Sequence, residues 1–567
     1  MPTDIEIAQA AILRPIAEIA ADHGLGETDI EPHGHHIAKL TAPTLVALAD
    51  RPQGKLILVS AINPTPAGEG KTTTTIGLGD SLNRIGRKTV IALREPSLGP
   101  VFGRKGGATG GGRSQVLPME RINLHFTGDF HAITAAHNLL AALVDNALHF
   151  RTVTATGHAI DGRTVTWRRV LDMNDRALRH VATGLSTGMG SGNAPVRETG
   201  FDITVASEVM AILCLADDIA DLQARIARIR IGRDDAGTPV TAGDIGAAGA
   251  MTALLVDAML PNMVQTIGGS AALVHGGPFA NIAHGCNSVV ATRAALALGD
   301  FAVTEAGFGA DLGAEKFCNI KCRSAGLAPA VVVIVATVRA LKFHGGMALA
   351  ELGNADAAAL AAGLANLGRH AENMAKFGVP VVVALNAFTT DTAAEHTAVI
   401  RHCRDNLGVD AFLCRHWADG AAGAEALARS VAALADANAD PTGRFRLLYA
   451  DALPIEDKLR TIAREIYRAA DIALSPAARR QMEAVTAQGF GRLPVCVAKT
   501  PYSFTADENI RGVTSGHILP IREIRLAAGA GFVVALCGDI STMPGLPRSP
   551  AANHIGVGGD GRITGLS

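Results

Sequence analysis

Four stretches of this chain are apolar at nearly every position: residues 55–62, 88–93, 329–338 and 379–386. Each is followed by turn residues and then by a segment whose apolar positions recur with helical spacing. A strand with one wet face alternates polar and apolar residues, whereas a strand covered on both faces does not. The runs therefore predict buried strands of a mainly parallel sheet, an α/β architecture. Between them lie alanine-rich helical stretches, for example 130–150 and 251–259. Residues 183–200 and 231–249 are glycine-rich and read as irregular, either surface excursions or a subunit contact. Two short apolar runs near the end, 495–500 and 531–536, predict strands, and the proline-punctuated tail 543–550 predicts extended chain. A shift near residue 365 begins another strand unit. The expected organisation is a large domain over 1–365 and two smaller α/β domains over 366–480 and 481–567.

The first apolar run carries the most specific chemistry. It delivers the chain to Asn63-Pro-Thr-Pro-Ala-Gly-Glu-Gly70, and Lys71-Thr-Thr-Thr-Thr75 then opens a helical pattern that runs to about Gly86. Strand, glycine turn and helix in this order form a P-loop, in which backbone N–H groups and the helix N-terminus face phosphate oxygens. Thr65, Pro66, Ala67, Gly68, Glu69, Gly70, Lys71 and Thr72 form the expected nucleotide-binding segment. Lys71 would reach the outer phosphates and the Thr72 hydroxyl would hold Mg²⁺, so the expected ligand is a nucleoside triphosphate such as ATP. The usual pattern has glycine six residues before the lysine; Thr65 stands there, between two prolines.

The second run ends in Arg94-Glu95-Pro96-Ser97. Residues just past the carboxyl ends of parallel strands line the ligand crevice, which aims Arg94 at the phosphate loop. Its planar fork suits a carboxylate or phosphate, and Glu95 either orients it or forms a structural pair with it. The glycine-rich stretch 103–113 carries three cations and reads as a cleft loop in preference to a linker. Asp129 either caps the following helix or supplies a carboxylate to the cleft. His131 and His137 lie six residues apart, about 600° around a helix, and so do not face one another as a metal chelate. Among few aromatics, Phe388 and Trp417 follow strand-like segments; a flat heteroaromatic ligand could sit between such rings, although isolated aromatics on their own read as core.

Bulk properties narrow the class. A chain of 567 residues with 48% hydrophobic content is a cored globular protein of roughly three or four domains. A net charge of -2 gives no footprint for nucleic acid or an anionic membrane, so neither is expected as a partner. The opening residues are acidic where a signal peptide carries lysine or arginine, and the run 329–338 is too short to span a bilayer. Eight cysteines without paired spacing, Cys318 and Cys322 included, predict buried reduced thiols in a cytosolic enzyme.

Several long strings, taken in order, resemble the formate–tetrahydrofolate ligase family: 64–75, 94–103, 123–131, 275–285, 304–316, 336–342, 498–503 and 542–547. The resemblance implies ATP-dependent ligation of formate to tetrahydrofolate through formyl phosphate. It puts Gly68, Gly70, Lys71 and Thr72 on the triphosphate, Arg94 and Gly309 at the formyl phosphate, and Phe388 with Trp417 around the pterin ring. It further implies nucleotide and formyl phosphate binding by a P-loop NTPase-type domain over 1–365, folate binding over 366–480, a cytoplasmic homotetramer, and stabilisation by K⁺ or NH₄⁺. The chain departs from the family pattern at Arg121, at Gly268-Gly269 where Glu-Gly is usual, and after Trp417, where Ala-Asp-Gly-Ala-Ala-Gly-Ala replaces a Gly-Gly-Glu-Gly turn.

Overall fold

A computed structural model describes residues 2–66, 68–103, 109–185, 195–280, 282–438 and 440–566. Its centre is one large sheet. In chain order the main strands are β1 (Ile30–Pro32), β2 (Ala38–Leu40), β3 (Lys55–Ala61), β4 (Thr89–Leu93), β5 (Asn262–Thr266), β6 (Ala271–Val274), β7 (Phe301–Glu305), β8 (Pro329–Thr337), β9 (Val381–Asn386) and β10 (Ala411–Cys414). Across the sheet they run β1-β2-β5-β6-β4-β7-β3-β8-β9-β10, and a hairpin of residues 110–117 attaches to β5. From β6 to β10 every neighbouring pair is parallel. The flank β1-β2-β5-β6 is antiparallel.

The four apolar runs are β3, β4, β8 and β9. Each is buried along nearly its whole length, β8 at every position, as strands covered on both faces must be. Strands β9 and β10 lie beyond residue 365 and extend the same sheet, so segments 1–365 and 366–480 share it. The C-terminal segment forms a separate three-stranded sheet of 495–498, 532–536 and 523–527, and 471–474 pairs in parallel with 518–521.

Two helices carry candidate residues: α1 (Lys71–Arg84) and α2 (Asp129–Phe150). Four threonines and two glycines give α1 little intrinsic helix propensity, so packing holds it. Residues 74–82 are all buried. A Cβ at Gly77 would come within 2.7 Å of the His416 side chain, and one at Gly79 within 2.4 Å of Ile91. The glycines thus let α1 lie flat between β4 and the segment after β10.

Two expectations change. Residues 231–249 are not irregular throughout: 230–233 and 239–241 form a hairpin, and the predicted helix near 251–259 runs over Ala248–Leu255. In the stretch 183–200, residues 197–199 pair with 181–183, while 186–194 lie outside the described residues. All eight cysteines are buried free thiols. Among the described residues no helix is long and apolar enough to cross a membrane.

Candidate active site

Because β6 through β10 run the same way, the segments leaving β3, β4, β7, β8, β9 and β10 open on one rim. The phosphate-loop candidates leave β3. Gly68 and Gly70 take φ of 82° and 70°, the left-handed region that glycine enters without strain. Gly70 caps α1, and Lys71, half-buried, is its first residue. Ala67 lies outside the described residues. Glu69 turns inward to brace the loop. Its Oε1 accepts from the Thr65 backbone N–H at 2.7 Å, and its Oε2 accepts from the Thr337 hydroxyl at the end of β8. Burial pushes its carboxyl up from the ordinary range. Asn386 at the end of β9 donates to the Glu69 carbonyl at 3.0 Å and to Thr74 Oγ1 at 2.9 Å. Three strand ends therefore fix the loop. Pro66 beside Thr65 is partly exposed.

Glu305, the last residue of β7, ties that loop to Arg94. In register it sits level with Val59 of β3, and its neighbour Thr304 pairs with Ala92 of β4. The Thr72 hydroxyl donates to Glu305 Oε2 at 2.9 Å, and Arg94 Nη2 donates to Glu305 Oε1 at 3.1 Å. Glu305 is buried, while Arg94 keeps a fifth of its side chain exposed and its Nε has no hydrogen-bond partner. The acid that orients Arg94 is thus Glu305. Glu95 makes no ion pair with Arg94; its backbone N–H donates to Gly276 and its carboxyl is pushed well up by burial and by Asp129.

The turn after β7 packs against Arg94. A Cβ at Gly307 would lie 2.8 Å from Arg94 Nη1, so glycine is needed for that approach. Phe308 adopts φ of 60°, unusual for a bulky side chain, and a Cβ at Gly313 would collide with the Gly307 carbonyl. Gly309 lies against the Asp311 carboxylate and the Ile62 carbonyl. Nearby, His284 is fully buried with both ring nitrogens unpartnered. Burial and the charges of Lys321, Lys316 and Arg94 push its imidazole down to about 3, so it is neutral in a strongly cationic surrounding.

The aromatic candidates stand at neighbouring strand ends. Phe388 is two residues past β9 and Trp417 three past β10, and the Ala387 N–H donates to the Cys414 carbonyl at 3.0 Å. The Arg339 guanidinium covers one face of Phe388, 3.6 Å from the ring centroid. Trp417 is 40% exposed, which overturns the reading of an isolated aromatic as core. Its indole rests on the 110–112 turn, where a Cβ at Gly112 would come within 2.7 Å of it. The altered stretch after it forms a tight helical turn over Gly420–Ala424 that folds back, Gly423 accepting from the Arg415 N–H at 2.9 Å.

Other candidates fall elsewhere. Gly128 caps α2, so Asp129 is no cap; its carboxylate is locked in a buried pair with Lys39 at 2.8 Å and accepts from Asn262 Nδ2 at 2.7 Å. His137 is stacked on Trp167 and His131 is exposed. Residues 104–108 of the cationic glycine loop lie outside the described residues. At Gly268, a departure from the family pattern, a side chain would collide with the Asp80 carboxyl, 2.7 Å from the Cβ position.

The sequence model of the formate–tetrahydrofolate ligase family matches residues 2–567. The chain belongs to the formate–tetrahydrofolate ligase family. It is 61% identical over 568 residues to a formate–tetrahydrofolate ligase of Paracoccus denitrificans, and 61% identical over 566 residues to one of Beijerinckia indica. A third, from Zymomonas mobilis, is 59% identical over 567 residues. Each alignment covers the whole of both chains. Membership makes the protein an enzyme of the ligase class.

Sequence reasoning alone did not single out Glu305 or His284, although both lie inside strings that carry the family resemblance. Glu305 closes a strand of only five residues, and its partners Arg94 and Thr72 are more than two hundred residues away in the chain.

Proposed function

We propose that this chain joins formate to tetrahydrofolate at the expense of ATP, giving 10-formyltetrahydrofolate, ADP and phosphate through formyl phosphate. One observation carries the reading: a single buried carboxylate, Glu305, bridges the Thr72 hydroxyl of the phosphate loop to Arg94. A nucleotide on that loop and an anion on Arg94 would then be neighbours, as phosphoryl transfer between them requires. On this reading the fold is of the P-loop NTPase type, with 1–365 holding nucleotide and formyl phosphate, 366–480 contributing folate contacts, and 481–567 a small α/β domain.

Formate is a poor electrophile because its charge is shared by two oxygens. Phosphorylation converts one of them into a leaving group. The segment Thr65–Thr72 would hold the triphosphate chiefly through the N–H groups at the α1 N-terminus, with Lys71 meeting the charge that grows on the γ-phosphoryl group in flight. A formate oxygen attacks in line, and the donors of Arg94 not held by Glu305 receive the resulting formyl phosphate beside Gly307 and Gly309. The Thr72 hydroxyl and the Glu305 carboxylate form an oxygen donor set that suits a hard divalent cation, so these residues would hold Mg²⁺. When bound, that ion supplies charge neutralisation at the phosphates. The exposed face of Trp417 and the ring of Phe388 flank the pterin of tetrahydrofolate, and N10 of the folate, beyond the pterin, attacks the formyl carbon and displaces phosphate, the amine giving up its proton as the C–N bond forms. The reading extends to a cytoplasmic homotetramer that K⁺ or NH₄⁺ stabilises.

The oxygen balance tests this route. If formate is activated as formyl phosphate, the formate oxygen that bridges to phosphorus stays on phosphorus when the C–O bond breaks. Formate labelled with heavy oxygen is expected to deliver one labelled oxygen to each phosphate released during coupled synthesis, and Arg94→Ala to suppress that transfer. Unlabelled phosphate from the wild-type enzyme would exclude the acyl phosphate.

A further inference from the structure

Lys499 reaches this site from the C-terminal segment, directly after strand 495–498. Its side chain is fully buried. The ammonium donates to Asp311 Oδ2 at 2.8 Å, to the Thr500 carbonyl at 3.1 Å and to the Ser503 carbonyl. Asp311 is equally buried. Its second oxygen, Oδ1, accepts from Asn63 Nδ2 at 3.2 Å and lies 2.7 Å from where a Gly309 Cβ would be. One carboxylate thus meets Lys499, Asn63 and Gly309.

Asn63 is the residue through which the chain passes from β3 into the phosphate loop. Its amide also donates to the Pro501 carbonyl at 3.1 Å, and its Oδ1 accepts from Asn366 Nδ2 at 3.0 Å. Its backbone N–H donates to His370 Nε2 at 3.0 Å, and its carbonyl accepts from His344 Nε2 at 2.9 Å. The root of the phosphate loop, the Gly309 turn and residues 499–503 are therefore cross-linked through two side chains. A buried ion pair is weak evidence for stability, because well-packed apolar residues of similar volume often serve as well or better. What the pair does fix is the relative placement of three backbone segments.

We propose that Lys499 is a positioning residue for phosphoryl transfer: acting through Asp311, it holds Asn63 and Gly309 in place, so that the phosphate site is complete only when the C-terminal segment is docked. This role rests on the proposed function of that site in making formyl phosphate. A residue placed to position the formyl phosphate wall should affect turnover and formate use and spare folate use.

The test uses the full chain with Lys499→Met/Asp311→Asn, which leaves no unpaired buried charge, and separately Asp311→Asn, in which the Lys499 ammonium keeps the Thr500 and Ser503 carbonyls and a neutral acceptor at position 311. Initial rates of ADP formation are measured with formate, ATP and tetrahydrofolate varied in turn, beside thermal melts. The expected result for the double variant is a cooperative melt, kcat lowered at least tenfold and the formate KM raised severalfold, with the tetrahydrofolate KM within twofold of wild type. Asp311→Asn is expected to move the same two parameters, each by at least threefold. A folded variant with wild-type kcat and formate KM overturns the proposal, as does an equal change in all three KM values. Lys71→Ala separates the positioning role from the phosphate site itself. If it abolishes formate-dependent ADP formation while the Lys499 and Asp311 variants behave as wild type, only the positioning role fails; if it remains active, the phosphate-site reading itself fails.

Discussion

The sheet has two unlike halves. From β6 to β10 the strands are parallel, and their carboxyl ends deliver Asn63, Arg94, Glu305, Thr337, Asn386 and the approach to Trp417 to one rim. In the antiparallel flank β1-β2-β5 the strand ends alternate, and the loops leave in opposite directions. Both halves bury polar groups. On the rim, Glu305 holds Arg94 and Thr72 yet leaves Arg94 Nε without a partner and part of the guanidinium exposed. Beside the flank, Asp80 of α1 accepts from the Thr266 hydroxyl at 2.6 Å and its Oδ2 has no partner, but the whole carboxyl is sealed from solvent by the 266–270 turn. On the proposed function, strand polarity thus separates partly exposed groups that meet a ligand from sealed groups that serve packing. The comparison predicts that rim substitutions change rates and that flank substitutions change stability.

The largest effect is expected at Lys71. On the proposed function, Lys71→Ala removes a contact with charge that develops only in the transition state, and losses of this kind run to about a hundredfold or more. Formate-dependent ADP formation is expected to fall by that factor while folate binding and the melting temperature stay near wild type. Retention of more than about a tenth of the rate would break the assignment of the rim, since a lost transition-state charge contact costs well over tenfold.

Asp80 gives the opposite signature. Burial raises its carboxyl from 3.8 to about 6, outweighing the hydrogen bond from Thr266. A carboxyl with a raised folded pKa favours the folded state in its protonated form. Its contribution is fully present below the unfolded value near 3.8 and is lost as pH rises through about 6. Asp80→Asn keeps an amide of the same shape and is expected to flatten the stability profile between about pH 4 and 6. At pH 7 it is expected to raise stability by up to about 3 kcal/mol. Denaturant midpoints of both proteins at pH 4.5 and 7 check this, together with an unchanged kcat. A lowered kcat in a folded Asp80→Asn enzyme would blur the division between the halves.

The same division governs how much the sequence reveals. β3, β4, β8 and β9 are legible because strands buried on both faces write continuous apolar runs. The flank is not, since β1 and β2 are three residues each and leave no periodicity to read. The turn proposed to hold phosphate is legible as a local motif, and Gly68 and Gly70 do take positive φ. Glu305 and the Lys499–Asp311 pair are non-local, and only strand register and docking of the C-terminal segment bring them to the loop. Asp129 illustrates the converse: locally it could cap a helix or enter a cleft, and a partner ninety residues upstream, Lys39, takes it for neither.

The smallest effect is expected at Trp417, and it tests how far the rim extends. The indole lies past β10, at the parallel end of the sheet, with 40% of its surface open. A ring so exposed contributes little to folding, whereas stacking against a bound pterin is worth roughly 1 kcal/mol, or about a fivefold change in half-saturation. Trp417→Ala is therefore expected to raise the tetrahydrofolate KM about fivefold, on that same estimate, and to leave the ATP requirement and melting temperature nearly unchanged. Its backbone carbonyl, which accepts from the Arg113 N–H at 2.8 Å, is retained in the variant, so the 110–113 turn keeps its anchor. A marked fall in melting temperature with no change in folate dependence would instead make the indole a clamp on that turn, and the rim would end at β9.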